Sequence, residues 1–207
     1  CTAGSRVYIH EKIYDKVLEG AVERLSKLKM GNALDETSDI GAIISEEQLK
    51  RTLYYMDIAK KNSSTKILHG GNQSKGGEYK DGFYYEPTLL SGLPVSSPVC
   101  QEEVFGPVAC AIPFKSFDEV MKSANDTQFG LSAVLWTKDL SRALQFVDEI
   151  EAGFVQVNQC VAPRANVSYG GIKMSGLGKE YAFDSMMNHF TQSKTVLINR
   201  GKSNIDV

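Results

Sequence analysis

The sequence opens with CTAGSR, which places a thiol at Cys1. If Ala3, Gly4 and Ser5 begin a helical turn, Cys1 lies at its N-terminus, where unpaired N–H groups and the helix dipole favour a thiolate. A thiolate in that environment is a nucleophile. The alternative is an ordinary thiol with no chemical role, and the motif alone does not decide between the two.

A second candidate motif is QEEVFGP, at residues 101–107. If this turn faces a cleft, the carboxylate of Glu103 can accept hydrogen bonds from sugar hydroxyls, and Phe105 can pack beside a flat ring. The alternative is a solvated turn whose phenylalanine belongs to the core.

A third candidate motif is SYGGIKMSGLGKE, at residues 168–180, which contains four glycines and Tyr169. Glycine permits backbone conformations and close approaches that other residues forbid. The segment is therefore either a flexible connector or a loop held against a site, with Tyr169 as an aromatic wall.

The middle of the chain has the most regular apolar pattern. VACAIPF, LSAVLWT and FVQVN are predicted strands, and SFDEVMKSAN, with a capping box from Ser116 to Glu119, and DLSRALQFVDEIEAG are predicted helices. This alternation predicts an α/β fold with a parallel sheet and helical crossovers. Ligands collect at the carboxyl ends of such strands, and the loop from Asn158 to Gly178 leaves one of those ends.

The flanking regions add further elements. Apolar spacing predicts helices from Ile13 to Leu28 and from Glu46 to Asn62, and TKILHG and GFYYEPTLL are predicted strands. A short helical run is expected from Lys179 to His189. KTVLINR follows as a strand without a hairpin partner, so it is either an extra edge strand or the partner of another segment or subunit.

Composition excludes several classes of protein. The 207 residues carry 23 basic and 25 acidic side chains, a formal charge of -2 that is unlike a nucleic-acid-binding domain. No apolar run approaches the roughly 20 residues of a membrane span, so a cytoplasmic location is expected. The four cysteines lack the spacing of a metal site, which predicts no metal, and Cys100, Cys110 and Cys160 are expected to be buried thiols.

The ordered combination of motifs is more specific than any one of them. C-x-A-x-x-R, EEVFGP, LSAVLWTKDL, EAGFVQVN and YGGIKMSGLGKE, in this order, closely resemble the C-terminal half of the NAD(P)-dependent aldehyde dehydrogenase superfamily. The resemblance runs from Cys1 to about Asn199 and includes MGNALDETSDIGAII and FYYEPTLL. One departure is Gly41-Ala42, where the family often has Gly-Pro.

The resemblance implies a twisted, parallel-rich sheet with helices on both faces, plus a C-terminal oligomerisation-type strand. The implied divisions are a catalytic domain (1–178), a connecting helix (179–192), an oligomerisation strand (193–200) and a tail (201–207). A homodimer or homotetramer is expected of the full-length protein.

The resemblance also implies roles for single residues. Cys1 is the nucleophile that attacks an aldehyde, and a thiohemiacetal and then a thioester form on its sulfur. Glu103 corresponds to the residue that holds the nicotinamide ribose, and Phe105 to the aromatic that contacts the nicotinamide. Tyr169 is expected near the substrate channel, and the cofactor is NAD or NADP.

In this family the dinucleotide-binding domain, the general-base glutamate and the oxyanion-hole asparagine precede the nucleophile. The 207 residues alone are therefore predicted not to turn over aldehyde. The choice between NAD and NADP, and the identity of the aldehyde, stay open, although Arg164 in NQCVAPRANVS would favour a polar or anionic substrate.

Two other functions remain possible from the sequence. One is a cysteine-dependent acyl transferase or hydrolase that pairs Cys1 with His10, His69 or His189. The other is a dehydrogenase-like domain that serves only as an assembly or binding module.

Overall fold

A four-stranded sheet forms the centre of the fold. The computed structural model describes residues 1–199, and its strands and helices are numbered here in chain order. The strand order is β1 (Arg6–His10), β6 (Val108–Phe114), β5 (Thr88–Ser91) and β2 (Lys66–His69). β6 pairs in parallel with β1 and with β5, and β2 joins β5 antiparallel. The predicted parallel-rich sheet is confirmed.

The other elements surround this sheet. The helices are α1 (Tyr14–Leu25), α2 (Glu46–Lys61), α3 (Pro98–Gln101), α4 (Phe117–Asn125), α5 (Leu140–Glu149) and α6 (Phe183–Phe190), with 3-10 turns at Glu11–Ile13 and Gly77–Tyr79. The short strands are β3 (Gln73–Ser74), β4 (Tyr84–Tyr85), β7 (Phe129–Gly130), β8 (Ser132–Leu135), β9 (Phe154–Val157) and β10 (Ile172–Lys173).

Successive strand residues point to opposite sides of the central sheet. Apolar residues lie on both sides, and a helix covers each side. On one side the strand residues Leu90, Cys110 and Ile112 share an apolar cluster with Leu49, Tyr55, Met56 and Ala59 of α2. On the other side Ile9, Leu89 and Ala111 pack against Leu18, Ala21, Val22 and Leu25 of α1. The two helix faces predicted from apolar spacing thus become the two halves of the core.

The second half of the predicted parallel sheet is a separate unit. β8 and β9 pair in parallel and are connected by the helix α5, as expected. The capping box from Ser116 to Glu119 begins α4. The expectation that VACAIPF and LSAVLWT share one sheet was wrong, since β6 and β8 lie in different sheets. The physical reason is that β1 and β5 already occupy both edges of β6.

The C-terminal region differs from its predicted form. α6 begins at Phe183 rather than near Lys179, and residues 191–199 have neither helix nor strand. KTVLINR falls on 194–200, of which residue 200 lies outside the described part of the chain, as does the predicted tail. Within 194–199 the apolar side chains of Val196, Leu197 and Ile198 are exposed, and no strand edge is paired with them.

Across residues 1–199, no helix is both long and apolar enough to cross a membrane.

Leu90→Ala tests the two-sided core. Leu90 is 0% exposed, so its truncation leaves a cavity, and we expect the free energy of unfolding to fall by about 2–5 kcal/mol in chemical denaturation. Leu34→Ala is the matched control, because Leu34 is 92% exposed and its loss should change the stability by less than about 0.5 kcal/mol. Equal effects at the two leucines would contradict this account of the core.

Candidate active site

The segment that carries Cys1 leads directly into a strand. Residues 1–5 contain no helix, and β1 begins at Arg6. The condition considered for Cys1, a helical turn that begins at Ala3, Gly4 and Ser5, is therefore not met. The backbone N–H of Cys110 donates to the carbonyl oxygen of Ser5 (2.8 Å), so the β-ladder captures the chain at this point. Cys1 is exposed, and residues 1–5 do not place it at a helix N-terminus.

Arg6 fixes the start of this strand. Its guanidinium donates to the carbonyl oxygens of Ser123 (3.3 Å) and Ala124 (3.0 Å), in the last turn of α4, and to the hydroxyl of Tyr8 (3.1 Å). A cation is favourable beside the C-terminal carbonyls of a helix. The arginine of the C-x-A-x-x-R motif thus anchors the Cys1 segment to α4.

The turn that carries Glu103 and Phe105 is held by α2. Gln48 donates from its amide nitrogen to the carbonyl oxygens of Val104 (2.9 Å) and Phe105 (2.8 Å). Arg51 donates to the carbonyl oxygen of Glu103 from Nε (3.1 Å) and Nη2 (2.6 Å). These bonds use the backbone of the turn and leave the Glu103 and Phe105 side chains exposed.

The backbone of this turn is strained. Phe105 has a φ of 54°, in the left-handed region that is unfavourable for a bulky residue. The next residue must be glycine, because a Cβ on Gly106 would lie 2.5 Å from Oγ1 of the buried Thr52. Phe105 is 54% exposed, so the alternative of a core phenylalanine was wrong, and Val104 is the residue that is buried.

The Cys1 segment and this turn leave the sheet at the same end. β1 and β6 are adjacent and parallel, and Arg6 lies opposite Cys110. The residues that precede the two strands therefore emerge side by side, at the amino ends of the strands. Cys1, Glu103 and Phe105 all precede their strands, whereas the carboxyl-end prediction was made for the loop from Asn158 to Gly178.

Tyr169 reaches the same segment from the loop that follows β9. Its hydroxyl forms a 2.8 Å hydrogen bond with Oγ1 of Thr2, the residue after Cys1. This loop does leave the carboxyl end of a parallel strand, as predicted. Of the candidate residues, Tyr169 thus contacts the Cys1 segment directly, while Arg164 of the same loop is exposed.

The other cysteines divide into two kinds. Cys100 and Cys110 are buried as expected, but Cys160 is exposed, because it lies in the loop rather than in a core strand. The hydrogen bond from the Cys110 thiol lowers the pKa of Cys100, while the same contact and burial raise the pKa of Cys110. Among residues 1–199, no cluster of three or more His, Cys, Asp or Glu could hold a metal ion.

The three histidines have other contacts. His10 is at the end of β1 that is farther from Cys1, about 13 Å along the strand from Arg6, and packs edge-on against Phe114. Nδ1 of His69 lies 2.8 Å from the carbonyl oxygen of Pro87, and His189 is on α6.

Sequence reasoning missed Gln48 and Arg51. Their spacing of three residues places them on one side of a helix, which was a usable signal. The helix itself was predicted, but its docking against residues 103–105 is a contact between distant parts of the chain, which local patterns do not encode.

Gln48→Leu tests how the turn is held. The variant removes two hydrogen bonds to the strained turn, so the free energy of unfolding should fall by about 1–2 kcal/mol. Gln145→Leu is the matched control, because Gln145 donates to the exposed side chain of Glu149 and its loss should cost less than about 0.5 kcal/mol. Indistinguishable denaturation midpoints for the two variants would show that Gln48 does not hold the turn.

Comparison with known proteins places this chain in a family. The sequence model of the aldehyde dehydrogenase family matches residues 1–196. An aldehyde dehydrogenase of Rhodospirillum rubrum is 40% identical over 198 residues, covering 96% of this chain and 39% of that protein. Aldehyde dehydrogenase B of Escherichia coli is 39% identical over 198 residues, covering 96% of this chain and 38% of that protein.

Solved structures agree. The crystal structure of betaine aldehyde dehydrogenase from Staphylococcus aureus in complex with NAD+ matches with a TM-score of 0.89 and 32% identity, covering 100% of this chain and 41% of that chain. The chain thus spans about two fifths of the length of these relatives. Because the match extends over nearly all of its residues, in sequence and in fold, the chain belongs to the aldehyde dehydrogenase family.

Proposed function

We propose that this chain is the nucleophile-bearing part of a longer NAD(P)-dependent aldehyde dehydrogenase, which oxidises an aldehyde to a carboxylic acid. The observation that carries the proposal is that three segments with candidate site residues lie at one end of the central sheet. The exposed thiol of Cys1, the turn that presents Glu103 and Phe105, and the hydroxyl of Tyr169 all belong to segments that meet there.

The residues of the turn suit a nicotinamide riboside. The carboxylate of Glu103 is exposed and can accept hydrogen bonds from both ribose hydroxyls, and the exposed ring of Phe105 offers a flat apolar surface. When bound, the nicotinamide would accept the hydride that leaves the substrate carbon. The betaine aldehyde dehydrogenase from Staphylococcus aureus binds NAD+, which supports a nicotinamide cofactor here, whether NAD or NADP.

The chemistry of the substrate is assigned to Cys1. Its thiolate attacks the aldehyde carbon, and the carbonyl electron pair moves to the oxygen, giving a thiohemiacetal on the sulfur. We assign part of the stabilisation of that oxyanion to the backbone N–H of Cys1 in the longer protein. After loss of hydride a thioester remains on Cys1, and an activated water hydrolyses it to the carboxylic acid and the free thiol.

The general base is assigned to the part of the relatives that this chain does not span. The 207 residues alone are therefore expected to show no steady turnover. The exposed Arg164 on the Tyr169 loop favours a polar or anionic aldehyde, because its guanidinium can pair with a substrate carboxylate. A homodimer or homotetramer is supported by the exposed apolar side chains of 196–198 and of Phe183 and Phe190 on α6.

Cys1→Ser in the longer protein tests the assignment. Turnover, measured as the rise in absorbance of reduced NAD(P) with aldehyde as substrate, should fall by at least about 10³-fold because the attacking thiolate is gone. Cys160→Ser is the matched control, since Cys160 is also exposed, and its turnover should stay within about twofold of wild type. Retained turnover in Cys1→Ser would overturn the proposed function.

Turnover and thiol alkylation, each measured on the longer protein, separate the rival functions. A Cys-His enzyme should lose several orders of magnitude on alanine substitution of His10, His69 or His189, whereas the proposed mechanism expects near wild-type rates for all three. A binding module should show equal alkylation rates at the two exposed thiols, Cys1 and Cys160, whereas an active site should make Cys1 the faster.

A further inference from the structure

We infer that the hydroxyl of Tyr169 is a positioning group for the nucleophile, and that Lys179 holds Tyr169 in place for this task. The inference rests on the proposed function for its kinetic readout. It goes beyond a role for Tyr169 as a wall of the substrate channel, because a wall needs the ring, whereas positioning needs the hydroxyl and its hydrogen bond to Thr2.

Lys179 fastens the glycine-rich loop from within. Its half-buried ammonium donates to the carbonyl oxygen of Gly170 (2.6 Å) and contacts those of Gly153 and Gly171 (both 3.4 Å). An ammonium has three N–H donors and no acceptor, so three carbonyl oxygens match its full capacity. The lysine thus ties the loop at 170–171 to the start of β9.

The backbones of β9 and the glycine-rich loop are closely packed at Gly153. A Cβ on Gly153 would lie 1.9 Å from the carbonyl oxygen of Gly170 and 2.3 Å from the ammonium nitrogen of Lys179. Only glycine allows β9 and the loop to approach this closely. The segment that could have been a flexible connector is therefore clamped against the sheet.

Tyr169 has little freedom within the clamped loop. Its backbone exchanges two hydrogen bonds with Glu180, of 3.0 and 2.7 Å. Its ring stands edge-on to Phe154 on one side and to Tyr181 on the other, with centroids 5.3 and 5.8 Å away. Because backbone and ring are both fixed, the position of the hydroxyl is set before any substrate arrives.

This fixed hydroxyl holds the residue next to the nucleophile. Residues 1–5 are mostly exposed, and Arg6 anchors only their C-terminal end, on α4. The Tyr169 hydroxyl bonds Thr2 near the other end, so the segment is tied on both sides of Ala3 and Gly4. Two ties limit how far the sulfur of Cys1 can move, and small misplacements of a nucleophile are costly in rate.

Tyr169→Phe and Thr2→Val in the longer enzyme test the tie. Each variant keeps the side-chain shape and removes the hydrogen bond, so kcat should fall about 3- to 10-fold while KM for the aldehyde stays within about twofold. The double variant should be no worse than either single one, because both remove the same bond. A raised KM at unchanged kcat, or additive losses in the double variant, would overturn the inference. Tyr169 would then act only through its ring, as a wall of the substrate channel.

Lys179→Met tests the clamp. It should reproduce the kcat loss of Tyr169→Phe, and Lys179→Arg should restore most of it, since a guanidinium can also donate to several carbonyl oxygens. Lys50→Met is the control, because Lys50 pairs with the exposed Glu46 on the surface of α2 and its loss should leave kcat unchanged. If Lys179→Met misfolds, the milder Tyr169→Phe and Thr2→Val variants still decide the matter.

An activity-free readout keeps this inference separable from the proposed function. The alkylation rate of Cys1 by iodoacetamide, followed by mass spectrometry of the peptide that ends at Arg6, should rise at least about threefold in Tyr169→Phe, because the segment is released. The rate at Cys160 should not change. Equal Cys1 rates in the variant and the wild type would overturn the inference even if Cys1 proves to be the nucleophile.

Discussion

The parallel pairing of β1 with β6 is the constraint on which the site depends. It matches Arg6 with Cys110 and begins with the hydrogen bond from the Cys110 N–H to the carbonyl oxygen of Ser5. In a parallel pair the two preceding segments must leave at the same end, so the segment that carries Cys1 and the turn at 102–107 emerge from adjacent strands. A one-residue slip of β1 would turn its apolar face outward, which the packing of Ile9 against α1 opposes.

The side chains assigned to chemistry are exposed, and the residues that hold them are elsewhere. Gln48 and Arg51 bind the backbone of the turn, which leaves Glu103 and Phe105 available, and stabilise Phe105 in an unfavourable backbone conformation. Strain of this kind is common at functional sites, where the surrounding structure over-determines it. A cavity of about 670 Å³ is lined by residues near the end of α1 and within 78–87. None of Cys1, Glu103, Phe105 or Tyr169 lines it, so this cavity is not the candidate active site.

Local patterns predicted the elements well, because their causes are local. VACAIPF is β6 residue for residue, and the Ser116 capping box opens α4 as expected. What local patterns missed depends on pairing between distant segments. Pairing with β6 begins β1 directly after Ser5, where a helical turn had been considered, and the pairing of β6 with both β1 and β5 leaves β8 in another sheet. The bond from Tyr169 to Thr2 spans 167 positions, so no sequence motif could have predicted it.

The most direct measurement is the location of the acyl group during turnover. The longer protein, mixed with an aldehyde and NAD(P)+, quenched in acid and digested, should carry the acyl mass on the peptide that ends at Arg6. That mass should be absent without NAD(P)+, because the thioester forms only after hydride transfer. Acylation at Cys160 instead, or turnover with no acyl group on Cys1 when hydrolysis is slowed, would contradict the account.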